Sequence, residues 1–159
     1  MRGSVTLVST GTIIKRSHGR TTIDAPVDND GTLELLAGIL DVSGEGLDNA
    51  GTLRLAAGTR VTTASFRQPA SGTLELTVSA DRTGVGSSAL SVATGPLVLA
   101  GTLILTADLA VPADERWQVT LLSGPVERAG QFSPALAPDT LPGATVRYDE
   151  AGVLLDNQP

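Results

Sequence analysis

The residues best suited to chemistry in this chain are carboxylates that recur at an interval of twenty. Asp28 and Asp48 each begin an Asp-Asn pair, and Asp30 lies two residues after the first. Two carboxylates held close together are the machinery of glycosidases, in which one acts as an acid and the other as a nucleophile or base. Carboxylate oxygens also bind calcium, and the segment 28–31, DNDG, resembles the start of a calcium loop.

The surroundings of these carboxylates favour a solvated acidic surface over a polysaccharide-active enzyme or a calcium site. A polysaccharide-cleaving groove needs basic or aromatic side chains beside its acids, and residues 1–65 contain no Phe, Tyr or Trp. The calcium motif lacks the later ligands and the closing Glu of such a loop. The single histidine, His18, lies in a basic segment, KRSHGR, and the chain has no cysteine. We therefore expect no enzyme activity, no bound metal and no cofactor.

A third kind of chemistry, stacking against sugar rings, depends on the few aromatic residues. Only 3% of the chain is aromatic, and Trp117 and Tyr148 lie in its C-terminal part. With the glycine- and serine-rich segment 79–90, they form the candidate site of a carbohydrate-binding module, because aromatic faces are broad and rigid. The alternation of Trp117, Val119 and Leu121 instead favours burial of the Trp117 side chain in the core.

Composition indicates one domain with a hydrophobic core and an acidic surface. The chain has 159 residues, of which 41% are hydrophobic, enough for a single core. It carries 17 acidic and 11 basic residues, a net charge of -6, so nucleic acid is not an expected partner. No apolar run approaches the roughly 20 residues that a membrane-spanning helix requires. The first four residues, Met-Arg-Gly-Ser, resemble a vector-encoded leader.

The elements that must position these side chains are defined by a repeat. Gly-Thr followed by Leu or Ile begins at positions 11, 31, 51, 72 and 101, at steps of 20, 20, 21 and 29 residues. Apolar residues alternate after each Thr, as in Leu33 and Leu35, which is the period of a β-strand. We therefore predict an all-β fold, a right-handed parallel β-solenoid (β-helix) with about 20 residues per coil over residues 5–111. The competing fold is a β-sandwich in which the repeat is coincidental.

The solenoid hypothesis predicts which side chains stack on one another. Equivalent residues in successive coils should lie about 4.8 Å apart. The outward residues Glu34, Arg54 and Glu75 alternate in charge, as neighbouring strands favour. The inward columns are uniform and fill a thin core with leucine: Leu33, Leu53 and Leu74 in one column, and Leu35, Leu55 and Leu76 in the other.

The corners of the coils carry a second set of expectations. Asn29 and Asn49 fall one coil apart, where stacked amides can satisfy buried backbone groups. The glycine before each strand suits either a positive φ or a close approach of two backbones. Lys15 stands where Leu35 stands one coil later. The first coil therefore either slips in register or forms a charged end that discourages pairing with another chain.

The last third of the chain departs from the 20-residue period. We predict a loop insertion near residues 79–90 and a C-terminal β cap over residues 112–159. An uncovered solenoid end exposes unpaired backbone groups and core side chains, and Trp117, Phe132 and Tyr148 are the large side chains able to cover it.

The order SGTLEL, SALSVATGPLVLAGTLIL, WQVTLLSGPVERAGQF, LPGATVRY and GVLL over residues 71–155 resembles the closing part of the β-solenoid in bacterial autotransporter passengers and similar secreted surface proteins. The resemblance implies a non-catalytic structural or adhesive module of a secreted or surface-displayed bacterial protein, located outside the cell. Its expected partners are a surface glycan or another protein, including a second copy of the chain.

Overall fold

The chain folds as a stack of short β-strands. The computed structural model describes residues 5–81, 84–86, 89–108, 116–124, 128–136, 140–150 and 152–157; the leader predicted at residues 1–4 lies outside them. In chain order the strands are β1 (Leu7–Ser9), β2 (Thr12–Lys15), β3 (Arg20–Ile23), β4 (Val27–Asn29), β5 (Thr32–Leu35), β6 (Ile39–Val42), β7 (Leu47–Asn49), β8 (Thr52–Leu55), β9 (Arg60–Thr63), β10 (Phe66–Arg67), β11 (Thr73–Asp81), β12 (Gly84–Gly86), β13 (Ala89–Val92), β14 (Leu97–Leu99), β15 (Thr102–Ala107), β16 (Trp117–Ser123), β17 (Arg128–Gly130), β18 (Ser133–Leu136), β19 (Thr145–Tyr148) and β20 (Gly152–Asn157).

Three sheets form the sides of the stack, and the chain visits them in turn. The first sheet has the order β1-β4-β7-β10-β14-β17, and the second has the order β2-β5-β8-β11-β15-β18. The third runs β3-β6-β9-β13-β16 and continues into β20 and β19. Neighbours within the first two sheets pair in parallel. The prediction of an all-β parallel solenoid is confirmed. The described residues contain no helix long and apolar enough to cross a membrane.

The register of the second sheet is the one that the repeat predicts. Leu33 lies opposite Leu53, and Leu53 lies opposite Leu74. The leucine columns form the centre of the core, because their side chains point inward and stack on their equivalents. All six predicted core leucines are at most 2% exposed: Leu33, Leu35, Leu53, Leu55, Leu74 and Leu76.

The glycines that precede the strands of the second sheet are required by close backbone approach. A Cβ atom on Gly31 would lie well inside van der Waals distance of the carbonyl oxygen of Gly11, and one on Gly51 would meet the carbonyl oxygen of Gly31 in the same way. Neither Gly31 nor Gly51 has a positive φ, whereas Gly101 combines a φ of 70° with a similar close approach. Most of this column therefore reflects coil-to-coil spacing and not turn geometry.

The buried amide ladder predicted at one corner is present and is longer than expected. The Asn29 Nδ2 group donates to Asn49 Oδ1 at 2.8 Å, and Asn49 Nδ2 donates to Gln68 Oε1 at 2.9 Å. The two asparagine amides also donate to the backbone oxygens of Thr52 and Thr73. The ladder therefore ties together the corners of three successive coils without contact with water.

Lys15 keeps the register of its column and does not cause a slip. It lies opposite Leu35, and 8% of its surface is exposed. Its ammonium group donates to the carbonyl oxygens of Ser17, Gly19 and Ala37 and to the Ser17 hydroxyl. The charge is thus held by the corner between β2 and β3, at the first coil, where no further leucine lies below it.

The predicted insertion is a projection of the second sheet. β11 continues to Asp81, and β12 turns back against it in antiparallel pairing, with Ser79 opposite Gly86. Residues 82–83 and 87–88 of the predicted 79–90 loop lie outside the described residues. The additional length explains the 29-residue step, since the chain leaves the coil and returns to it at β13.

Parallel winding continues into the segment where the sequence placed the cap. Within residues 112–159, β16 pairs in parallel with β13, and β17 and β18 stack in parallel on β14 and β15. Antiparallel pairing begins with β20, which lies against β16, and β19 then pairs with β20. The closure of the C-terminal end is therefore a hairpin added to one sheet above a sixth, two-stranded turn.

Candidate functional site

The carboxylates singled out by the sequence lie on the outer face of the first sheet. Asp28 on β4 is the partner of Asp48 on β7, and Arg67 on β10 follows Asp48 in the same column. The Nη1 atom of Arg67 lies 3.8 Å from Asp48 Oδ2. The sequence missed Arg67 as a neighbour, because it stands outside the Gly-Thr-Leu motif that defines the period.

The electrostatics of this column are those of a crowded but solvated pair. Burial raises the pKa of the Asp48 carboxyl, the positive charge of Arg67 lowers it, and the negative charge of Asp28 raises it. The Asp48 side chain is nevertheless 49% exposed, so water screens both charges.

Two shallow hollows adjoin the carboxylate pair. One is lined by Asp28, Asp30, Asp48, Ala50, Arg67 and Pro69, and the other by Thr6, Pro26, Asp28, Glu45, Gly46, Leu47, Asp48 and Ser65. Neither hollow contains an aromatic ring or a histidine to orient a substrate. In the described part of the chain, no three His, Cys, Asp or Glu side chains converge as a set of metal ligands. The arrangement can attract cations to the surface but has no group that would hold a sugar ring.

Trp117, the first candidate for sugar stacking, stands at the edge of the core. It begins β16, it is partly buried, and it packs against the core cluster, as the alternation with Val119 and Leu121 predicted. Its indole Nε1 is buried and has no hydrogen-bond partner among the described residues. A shallow hollow beside it is lined by Arg116, Trp117, Gln118 and Asn157.

Tyr148, the second candidate, is engaged within the protein. Its hydroxyl accepts from the Phe132 N–H at 3.2 Å and lies 3.3 Å from the Phe132 carbonyl oxygen, to which it donates. The Arg128 guanidinium lies 4.9 Å from the centre of the ring, a cation-π distance. Burial raises the pKa of the Tyr148 phenol, while the Phe132 backbone and the Arg128 charge oppose that rise. These contacts fasten the last hairpin to the sixth coil.

The structure does not bring Trp117 and Tyr148 into one site. Along β20, Trp117 lies opposite Asn157, and Tyr148 lies opposite Val153. Four residues of strand separate these two positions, which is about 13 Å. Of the 79–90 segment, β12 lies close to β16, the strand that Trp117 begins. Only Trp117 and the projection are therefore neighbours.

A buried ion pair in the last hairpin was not foreseen from the sequence. Asp156 on β20 has a side chain that is 2% exposed, and its Oδ2 lies 2.9 Å from the Nε of Arg147. The two residues are brought together by antiparallel pairing of β19 with β20, for which the repeat gives no signal. The pair stabilises the hairpin and presents no free carboxylate to a ligand.

No protein-family model, curated protein or solved structure matches this chain. Functional inference therefore depends on the fold and on the geometry of the described side chains.

Proposed function

We propose that the chain is a non-catalytic structural or adhesive β-solenoid module of a secreted or surface-displayed bacterial protein. The observation that supports this most is that outward polar side chains are used to join coils to one another. Arg54 contacts Glu75 through Nε at 2.6 Å and Glu34 through Nη1 at 3.3 Å, so three successive coils share one charge ladder. The same outward face carries no cleft in which a substrate would be desolvated.

The extended stack fits the role of a rigid spacer. Each coil adds about 4.8 Å along the axis, so the six coils span about 24 Å between the first and the last. Stacked repeats have stability that depends on nearest neighbours, and the continuous leucine core links all of them. A location outside the cell is supported by the resemblance of residues 71–155 to autotransporter passengers.

Absence of catalysis can be tested on the carboxylate pair directly. We expect no product above the blank when the chain is incubated with pectin, alginate and β-glucan and reducing ends and unsaturated products are measured. Turnover that disappears in both Asp28→Asn and Asp48→Asn but persists in Asp41→Asn would contradict the proposal. Asp41 is the matched control, since it is an outward carboxylate on the third sheet that pairs with Arg20 at 2.8 Å.

A carbohydrate-binding module is the second candidate, and the hollow beside Trp117 is the observation that favours it. An indole N–H without a protein partner can donate to a sugar oxygen, and Arg116 and Gln118 offer further donors beside it. A glycan array probed with the wild type, Trp117→Phe and Trp117→Ala decides between the two candidates. We expect no glycan signal in any of the three, and a lowered melting temperature in Trp117→Ala alone. A signal that Trp117→Phe weakens and Trp117→Ala abolishes would establish the binding module instead.

A further inference from the structure

The two ends of the solenoid are built differently. Among the described strands, β1, β2 and β3 each pair on one side only, with β4, β5 and β6. We call the opposite side of these three strands the N-terminal edge. The Lys15 carbonyl accepts from the Leu36 N–H in the second coil. Because consecutive residues of a strand direct their backbone groups to opposite sides, the N–H and C=O of Ile14 face the N-terminal edge.

Exposed apolar side chains are concentrated at the same edge. Of the large hydrophobic residues that are exposed in the described chain, most belong to the first coil or the residues that lead into it: Val5, Leu7, Val8 and Ile14, at 74%, 36%, 57% and 40% exposure. Open backbone groups together with apolar side chains are the features that lead an edge to accept another strand.

The C-terminal end, by contrast, is protected against strand addition. The antiparallel hairpin of β19 and β20 ends the third sheet. In β18, the Ser133 N–H donates to Gly101 O in the coil below, so the next residue, Pro134, stands where an N–H would face outward. Proline supplies no donor. Strand addition is therefore favoured at the N-terminal edge alone.

Charge selects the kind of partner. Residues 5–23 contain Lys15, Arg16 and Arg20 and no acidic residue, so the first coil is cationic in a chain of net charge -6. Two copies meeting edge to edge would bring the same bases together, and a copy meeting head to tail would meet the protected end. We propose that the N-terminal edge is a docking surface for an acidic, extended polypeptide segment of another protein, which adds strands to β1, β2 and β3.

The second coil supplies a probe with the required chemistry. A synthetic peptide of residues 24–43 has five acidic residues, no basic residue and strands of matching length; a control peptide carries Asn and Gln in place of Asp and Glu. The full chain, labelled with ¹⁵N, is titrated with each peptide at low and high salt. We expect chemical-shift changes confined to residues 5–23, and binding that weakens with salt. The control peptide should bind about threefold to tenfold more weakly.

Three variants test the geometry. Ile14→Pro removes an outward N–H without a bond to the second coil and should weaken binding about fivefold. Arg16→Glu retains the backbone and should weaken binding of the acidic peptide but not of the control peptide. Arg60→Glu, on an exposed residue of the third coil, should change neither. An unchanged spectrum outside the first coil shows that each variant folds.

Several results would overturn the proposal. These are no binding at millimolar peptide, equal binding of the two peptides, or shift changes outside residues 5–23. Self-association of the wild type in sedimentation experiments, abolished by Ile14→Pro, would likewise overturn it, because a second copy would then be the occupant.

Discussion

Replacing Asn49 with alanine should remove more stability than any exposed substitution on the same strand. The Asn49 side chain is fully buried and has three hydrogen bonds, accepting from Asn29 Nδ2 and donating to Gln68 Oε1 and Thr73 O. Alanine removes all three and leaves the Gln68 oxygen buried without that donor. A net loss of about 1 kcal/mol per bond, with the cost of the unpaired group, gives about 3–5 kcal/mol. That is a large part of the roughly 5–15 kcal/mol that stabilises a typical domain.

The measurement is the free energy of unfolding from urea denaturation, followed by far-UV circular dichroism. Asp48→Ala is the matched control, because Asp48 precedes Asn49 on β7 but points outward and is 49% exposed. It should change the free energy by no more than about 0.5 kcal/mol. A double-mutant cycle with Gln68→Ala should give a coupling energy of about 1–3 kcal/mol. If Asn49→Ala is no more destabilising than Asp48→Ala, or if the cycle is additive, the amide ladder does not stabilise the coils.

Three other changes probe the corners and the C-terminal closure. Gly51→Ala should cost about 3 kcal/mol or more in urea denaturation, because the added Cβ would meet the Gly31 carbonyl; an unchanged midpoint would refute this. Tyr148→Phe should cost about 1 kcal/mol by losing its bonds to Phe132. Since the folded Tyr148 pKa is raised above 10.0, its contribution is complete below pH 10 and declines above it, so melting temperatures of the two proteins should converge in strong alkali. Truncation after Leu136 removes the hairpin and should give aggregates in size-exclusion chromatography, whereas a soluble monomer with the wild-type melt would show that the hairpin is dispensable.

The sequence was sufficient to place side chains wherever the chain repeats. In a parallel stack, each residue meets its equivalent one period later, so the spacing of Gly-Thr-Leu converts directly into contacts. For that reason Leu33 and Leu53 were correctly assigned to one buried column, and Asn29 and Asn49 to one buried ladder. The stacking of Asp28 on Asp48 follows from the same arithmetic.

Tertiary structure decided what lies where the period ends. Gln68 completes the amide ladder although it is nineteen residues from Asn49, because a shorter corner compensates for the missing residue and a longer side chain spans the gap. The contact of Tyr148 with Phe132 and the ion pair of Arg147 with Asp156 depend on a hairpin. Antiparallel pairing joins residues at separations that change along the strand, so no fixed interval in the sequence could reveal these contacts.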